Sequence, residues 1–290
     1  MTTRTAGRGR AVADSVGALV GASHPLPSAA VTAFSVAVSA ALGRSLGGAL
    51  MAGAAVLAGQ LSIGWSNDLL DRVRDERAGR HDKPVADGRL APQTVAAACG
   101  VAAAACVPLS FASGWAAGAV HLVAVSGGWA YNLGLKRTRA SWLPFALSFA
   151  LLTAFLTLGA PGHHWPQPWA LATGALLGVG AHFLNVVPDI ADDLAAGVQG
   201  LPQRLGPRRA AVTGAMLLLT ATALVVLGPA GPTPWWAWAG LAVAGLTAGG
   251  AATLGVRGRH GRHGREPFLL AVATAAVAVV LLVARGSDLG

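Results

Sequence analysis

Charge is what this chain has least of. Charged residues make up 11% of its 290 positions and hydrophobic ones 54%, whereas an ordinary soluble domain is about a quarter charged. With a mean hydropathy of +0.57, the composition excludes a soluble globular domain and predicts a polytopic membrane protein. Cysteine occurs twice, as Cys99 and Cys106 within one apolar run, which offers neither a disulfide framework nor a zinc site. A Walker-type GxxxxGK and a dinucleotide fingerprint leading into a soluble domain are both missing. A cleavable signal peptide is not expected either, because Asp14 follows the basic first ten residues and the next apolar runs would simply insert.

Long apolar runs are what the chain has in abundance. At about 20 residues per span, with breaks at charge clusters and Gly/Pro pairs, nine are expected: 24–43, 46–66, 91–111, 114–134, 141–159, 167–188, 209–228, 234–256 and 267–284. The predicted fold class is therefore all-α, a polytopic membrane helical bundle of about nine transmembrane helices. Residues 1–23 read as a cytoplasmic amino-terminal arm and 24–290 as the transmembrane domain. Glycines such as Gly174, Gly178 and Gly180 are expected to permit close helix packing.

Nine spans put alternate loops on opposite faces, and the basic residues test that count. Of the 21 Lys and Arg, 19 fall on one face and only Arg44 and Arg285 on the other. The positive-inside rule then places the amino terminus in the cytoplasm and the carboxyl terminus outside a cell membrane. The net charge of +9 is thereby spread over juxtamembrane loops without any nucleic-acid motif, so no nucleic acid is expected as a partner.

Acidic residues are concentrated. Asp68, Asp71, Asp75, Glu76, Asp82 and Asp87 lie in the second loop and Asp189, Asp192 and Asp193 in the sixth, which the topology puts on the same cytoplasmic face. Asp68, Asp71 and Asp75 share one face of a helix continuing from the second span, and Asn67 adds an amide oxygen. Asp189 and Asp193 are spaced i, i+4 with Asp192 beside them. Like charges so placed repel, so a counter-charge is required. Hard oxygen donors suit Mg2+, which keeps several waters and binds through one or two carboxylates plus substrate phosphates. Solvated loop acids offsetting neighbouring arginines would account for one cluster. Two clusters at the same face of the membrane favour a metal-bridged diphosphate.

The flanks of these acids carry a family resemblance. Asn67-Asp68-Leu69-Leu70-Asp71-Arg72-Val73-Arg74-Asp75 resembles the NDxxDxxxD signature of the UbiA superfamily of intramembrane prenyltransferases, and Asp189-Ile190-Ala191-Asp192-Asp193 its second, DxxxD motif. HDKPVADGRL is similar to the KPxxxGxL region of that family, and DIADDLAAGVQGLPQRLG to its DxxDDxxxGxxxLPxxLG continuation. A YxxxK element lies between the motifs in many members; here Tyr131 and Lys136 are one residue further apart, which leaves Lys136 and Arg137 both open as the phosphate contact.

The resemblance covers essentially the whole chain and implies nine helices with both motifs at the cytoplasmic end. It implies Mg2+ held by Asn67, Asp68, Asp71, Asp75, Asp189, Asp192 and Asp193, with Asp68, Asp71, Asp75, Asp189 and Asp193 as the catalytic acids. Arg72, Arg80, Lys83, Lys136, Arg137 and Arg204 are candidate contacts to a prenyl diphosphate. His182, Asn185 and Asp189 follow an i, i+3, i+7 helical spacing, and His182, Asn185 and Tyr131 are candidates for an aromatic or lipophilic acceptor or for the cavity wall. An interhelical hydrogen bond is the simpler role for His182. The implied reaction is prenyl transfer; closure of the allylic cation on its own double bonds, as in a membrane terpene cyclase, is the alternative. A transporter is the distant one, because its acids belong near mid-span and in inverted repeats.

Overall fold

Each apolar run folds as a helix that stops where proline, glycine or charge interrupts it. The computed structural model describes residues 14–81, 83–257 and 266–289. A helix over 14–22, α1, is followed by α2 (Pro25–Ala41), α3 (Leu46–Arg77), α4 (Pro92–Phe111), α5 (Trp115–Leu133), α6 (Leu143–Leu158) and α7 (Pro168–Val186). The short α8 (Ile190–Ala195), α9 (Leu201–Leu227), α10 (Trp235–Arg257) and α11 (Glu266–Ala284) complete the chain. Among the described residues there is no strand, and every one of the nine expected spans holds one helix. Residues 1–13 of the expected arm, Asp82 and the basic run 258–265 lie outside the described residues.

Local chemistry sets the helix ends. Proline occupies one of the first two positions of α2, α4, α6, α7 and α9, where its missing N–H is not needed and its φ is already helical. Ser45 caps α3 by accepting a hydrogen bond from the Gly48 N–H at 3.1 Å. The 32 residues of α3 extend about 48 Å, well beyond about 30 Å of hydrocarbon. Its last turns therefore project past the apolar layer and carry the first acidic motif. Helix α9 begins at Leu201, ahead of the span expected from 209, and bends at Gly206 (φ 78°) and Pro207 before running on through the bundle.

Among the described residues five helical stretches are long and apolar enough to cross a membrane, Leu46–Arg77, Pro92–Phe111, Pro168–Ala195 (α7 with the turn and α8 after it), Leu201–Leu227 and Trp235–Leu254, with shorter apolar helices at Pro25–Ala41, Leu143–Leu158 and Val272–Ala284. Neighbours in sequence pack on one another from α2 to α7, α9 packs on α7, and α10 and α11 pack on α9. Helix α11 then returns to α2 and closes the bundle. Phe155, Leu156, Leu218 and Leu282 are fully buried in its core. A Cβ at Gly174 or Gly178 would lie 2.7 or 2.4 Å from the carbonyl oxygens of Phe149 and Phe145, so α6 and α7 meet backbone to backbone as small-residue membrane packing requires. Leu26, Val101, Leu246, Trp115 and Trp235 face outward, the exterior expected of a bundle solvated by lipid.

Candidate active site

Three carboxylates on the last turns of α3 face inward. Asp68, Asp71 and Asp75 are 1%, 3% and 4% exposed, which their helical spacing allows only if something neutralises them. Three cations do. Arg74 donates from Nη2 to Asp71 Oδ2 at 2.9 Å and to Asp75 Oδ1 at 3.2 Å. Lys136 Nζ donates to Asp71 Oδ1, and Lys83 Nζ stands 3.4 Å from Asp68 Oδ1.

Lys136 reaches the acids because α5 ends at Leu133. Gly134 follows, and the 3-10 turn Leu135–Arg137 takes up the extra residue between Tyr131 and Lys136. The turn points Lys136 into the protein and leaves Arg137 exposed. Burial draws the Lys136 pKa below the ordinary lysine value, and the Asp71 carboxylate beside it opposes that shift.

Asn67 Nδ2 donates to Asn132 Oδ1 at 3.1 Å, and Asn132 Nδ2 donates to Ile63 O at 2.9 Å and Ser66 Oγ at 2.8 Å. These bonds lock α5 to α3 and turn the Asn67 amide oxygen into an acceptor beside the acids. Neither buried oxygen of Asp68 has a hydrogen-bond partner within normal geometry. An undersupplied carboxylate beside an amide oxygen gives hard donors of the kind a divalent cation takes. Among the described residues no three His, Cys, Asp or Glu side chains are grouped tightly enough to cage a metal alone.

The second motif is built differently. Pro188 lacks the N–H that α7 needs to continue, so the chain passes through a 3-10 turn at Val187–Asp189 into α8. The regular α-helical spacing from His182 through Asn185 to Asp189 is therefore broken at its last step. His182 is buried, Asn185 is exposed and Asp189 is intermediate. Asp189 Oδ1 lies 3.9 Å from Arg80 Nη1, with its side chain 49% exposed, and Asp193 Oδ2 accepts from Gln203 Nε2 at 2.9 Å. Asp192 is exposed. Arg80, in the loop just after α3, thus reaches across to the second motif.

An apolar cavity of about 120 Å3 opens between α3, α5 and α6, lined by Ile63, Gly128, Tyr131 and Phe145 with Gln60 and His121 deeper in. Ile63 is one turn before Asn67, so the cavity starts directly beside the acids. Tyr131 is within electrostatic range of both Asp71 and Asp193. Its ring meets Phe145 edge-on at 5.0 Å, and Phe145 stacks on His182 at 4.2 Å. His182 Nε2 also approaches Ser141 Oγ in the turn before α6 at 3.4 Å.

The structure thus gathers Asn67, Asp68, Asp71, Asp75, Lys83 and Lys136, with Tyr131 beside them and Arg80 bridging to Asp189. It does not bring Arg72 or Arg204 to the acids: Arg72 Nε pairs with Glu76 at 3.2 Å along α3, and Arg204 is held by Gln199. Two participants were missed. The i, i+3 spacing of Asp71 and Arg74 signals the first, whereas Gln203 meets Asp193 only through the α8–α9 turn and has no sequence signal.

Comparisons with known proteins agree on one family. The sequence model of the UbiA prenyltransferase family matches residues 26–269. A UbiA homolog from Archaeoglobus fulgidus bound to GPP and Mg2+ superposes with a TM-score of 0.69 at 16% identity, over 93% of this chain and 98% of that one. An apo UbiA homolog from Aeropyrum pernix K1 gives 0.68 at 18% identity, over 88% and 96%. A structure of digeranylgeranylglyceryl phosphate synthase gives 0.66 at 12% identity, over 94% and 99%. No curated protein sequence matches the chain.

Proposed function

We propose that this chain, which belongs to the UbiA prenyltransferase family, is a Mg2+-dependent membrane enzyme that moves an isoprenyl group from a prenyl diphosphate to an aromatic or other lipophilic acceptor. The observation that carries the reading is the junction of a charged group and an apolar cavity. Buried carboxylates matched by Arg74, Lys83 and Lys136 lie one helical turn from a cavity walled by Ile63, Tyr131 and Phe145. A prenyl diphosphate has the same two halves, an anionic head and a hydrocarbon tail. The A. fulgidus homologs bound to GPP or DMAPP with Mg2+ support this choice of ligand.

Asn67, Asp68, Asp71 and Asp75 from α3 and Asp189 and Asp193 from the α7–α9 connection would hold the metal. When bound, magnesium supplies Lewis-acid stabilisation of the negative charge on the departing pyrophosphate. Lys83, Lys136 and Arg74, now engaged by carboxylates, and Arg80 between the motifs supply the direct cationic contacts to phosphate oxygens. The apolar wall keeps water from the allylic cation that would otherwise be quenched to an alcohol. The Tyr131, Phe145 and His182 rings present π faces and edges beside its path. His182 and Asn185 remain the candidates for acceptor contact.

Residues 24–290 form the transferase domain on this reading. The amino terminus and both motifs face the cytoplasm, and the carboxyl terminus lies outside. The experiment incubates purified protein with Mg2+ and geranyl, farnesyl or geranylgeranyl diphosphate, with and without aromatic acceptors. A prenylated acceptor is the expected product. Cyclic hydrocarbon or alcohol formed equally well without any acceptor would replace the transferase by a cyclase.

A further inference from the structure

We propose that His24 is a positioning residue of this site, holding Lys83 in place for the diphosphate; the inference rests on the functional reading above. Among the described residues His24 and His163 alone combine a side chain with positive φ, 55° and 53°. For a residue with a Cβ that backbone is sparsely populated and persists where the surroundings impose it.

The surroundings of His24 are specific. It sits in the turn between α1 and α2, which one hydrogen bond closes on α2 and two contacts hold against α3 at the first motif. Trp65 Nε1 donates to Leu19 O at 2.9 Å, and Ser28 Oγ donates to Ser23 O at 3.0 Å. A Cβ on Gly64 would lie 2.4 Å from Ser23 O, so the turn approaches α3 as closely as only glycine permits.

This clamp delivers the imidazole to the acids. His24 Nε2 lies 3.3 Å from Lys83 Nζ, the ring reaches the Asn67 side chain, and it is within electrostatic range of Asp71 and Asp75. An ammonium only donates, so the Nε2 facing it is the acceptor nitrogen of a neutral ring. Lys83 is then fixed from two sides, by Asp68 and by His24, and one of its protons stays directed away from the carboxylate. Without His24, a flexible four-carbon stem would be steered by Asp68 alone and would lose the orientation that serves a phosphate.

Glycine at position 24 separates this role from a structural one, because it relieves the backbone while removing the acceptor. With Mg2+ and geranyl diphosphate, His24→Gly is expected to raise KM about tenfold, the size of one lost hydrogen bond to a charged group. Its kcat should change less, and its Tm should stay level or rise. His24→Asn, which tolerates the same backbone and keeps an acceptor, should recover most of the loss. Adding His24→Gly to Lys83→Met should cost nothing beyond Lys83→Met alone. A parental KM in His24→Gly, or losses that multiply in the double variant, overturns the proposal. Absence of turnover in the parental protein would instead refute the functional reading. The melting temperatures of the same four proteins then decide the link: non-additive shifts sustain it and additive shifts overturn it.

Discussion

The two acidic motifs solve the same problem with opposite means. The first rides on one uninterrupted helix, α3, with carboxylates at most 4% exposed and each paired with a cation. The second occupies a broken connection, a 3-10 turn, the six-residue α8 and a loop, where Asp189 is 49% exposed and its contact to Arg80 is 3.9 Å. On the proposed function, the first half would be organised before any ligand arrives, whereas the second is exposed and loosely held. If both motifs bind one anion as proposed, a two-sided site needs only one rigid wall.

The strongest way to break this comparison is to remove one acid from each side. Asp71→Asn and Asp189→Asn are both expected to lower kcat/KM by about 10²–10³-fold, the usual scale for a lost electrostatic stabiliser. Only Asp71→Asn should also unsettle the fold, by about 3 kcal/mol, because it strands the buried Lys136 ammonium. Thermal melts in detergent would show it; equal melts for both variants would erase the distinction.

Hydrogen exchange sharpens the contrast at intermediate scale. Amides of 187–200 should exchange faster than those of 60–75 in the free protein and should gain more protection with Mg2+ and a prenyl diphosphate. Equal protection gains would mean both walls are preformed.

The smallest effect concerns the rim of the first wall. His81 and Arg89 hydrogen-bond the Asp87 carboxyl and hold its pKa below the usual carboxylate range. A depressed carboxylate contributes stability above its unfolded pKa and loses it as pH falls through the folded value. The melting difference between the parental protein and Asp87→Asn should therefore be small at neutral pH and vanish in acid.

The sequence makes the bundle legible because hydrocarbon demands uninterrupted apolar runs, and each of the nine became a helix. It also shows α3 running into its motif, since Asp68, Asp71 and Asp75 keep helical spacing beyond the apolar stretch. Helix α1 was hidden because its residues carry too few apolar positions to read as a span, yet Ala18 and Ala22 pack beside Trp65. In the candidate site, Lys136 was readable as a residue but not as the inward one of a pair, because a 3-10 turn after Gly134 decides that. The i, i+3, i+7 spacing of His182, Asn185 and Asp189 runs through Pro188, whose missing N–H breaks it. His24 and Gln203 have no local pattern at all; their partners are brought to them by tertiary packing.

The most direct test of the two-wall account measures pyrophosphate release from geranyl diphosphate by the parental protein, by Asp68→Ala and by Asp189→Ala, each verified as folded in detergent, with and without Mg2+. The account expects Mg2+-dependent release from the parental protein and near-complete loss in either variant. Full release by one of the two folded variants, or release indifferent to the metal, would contradict it.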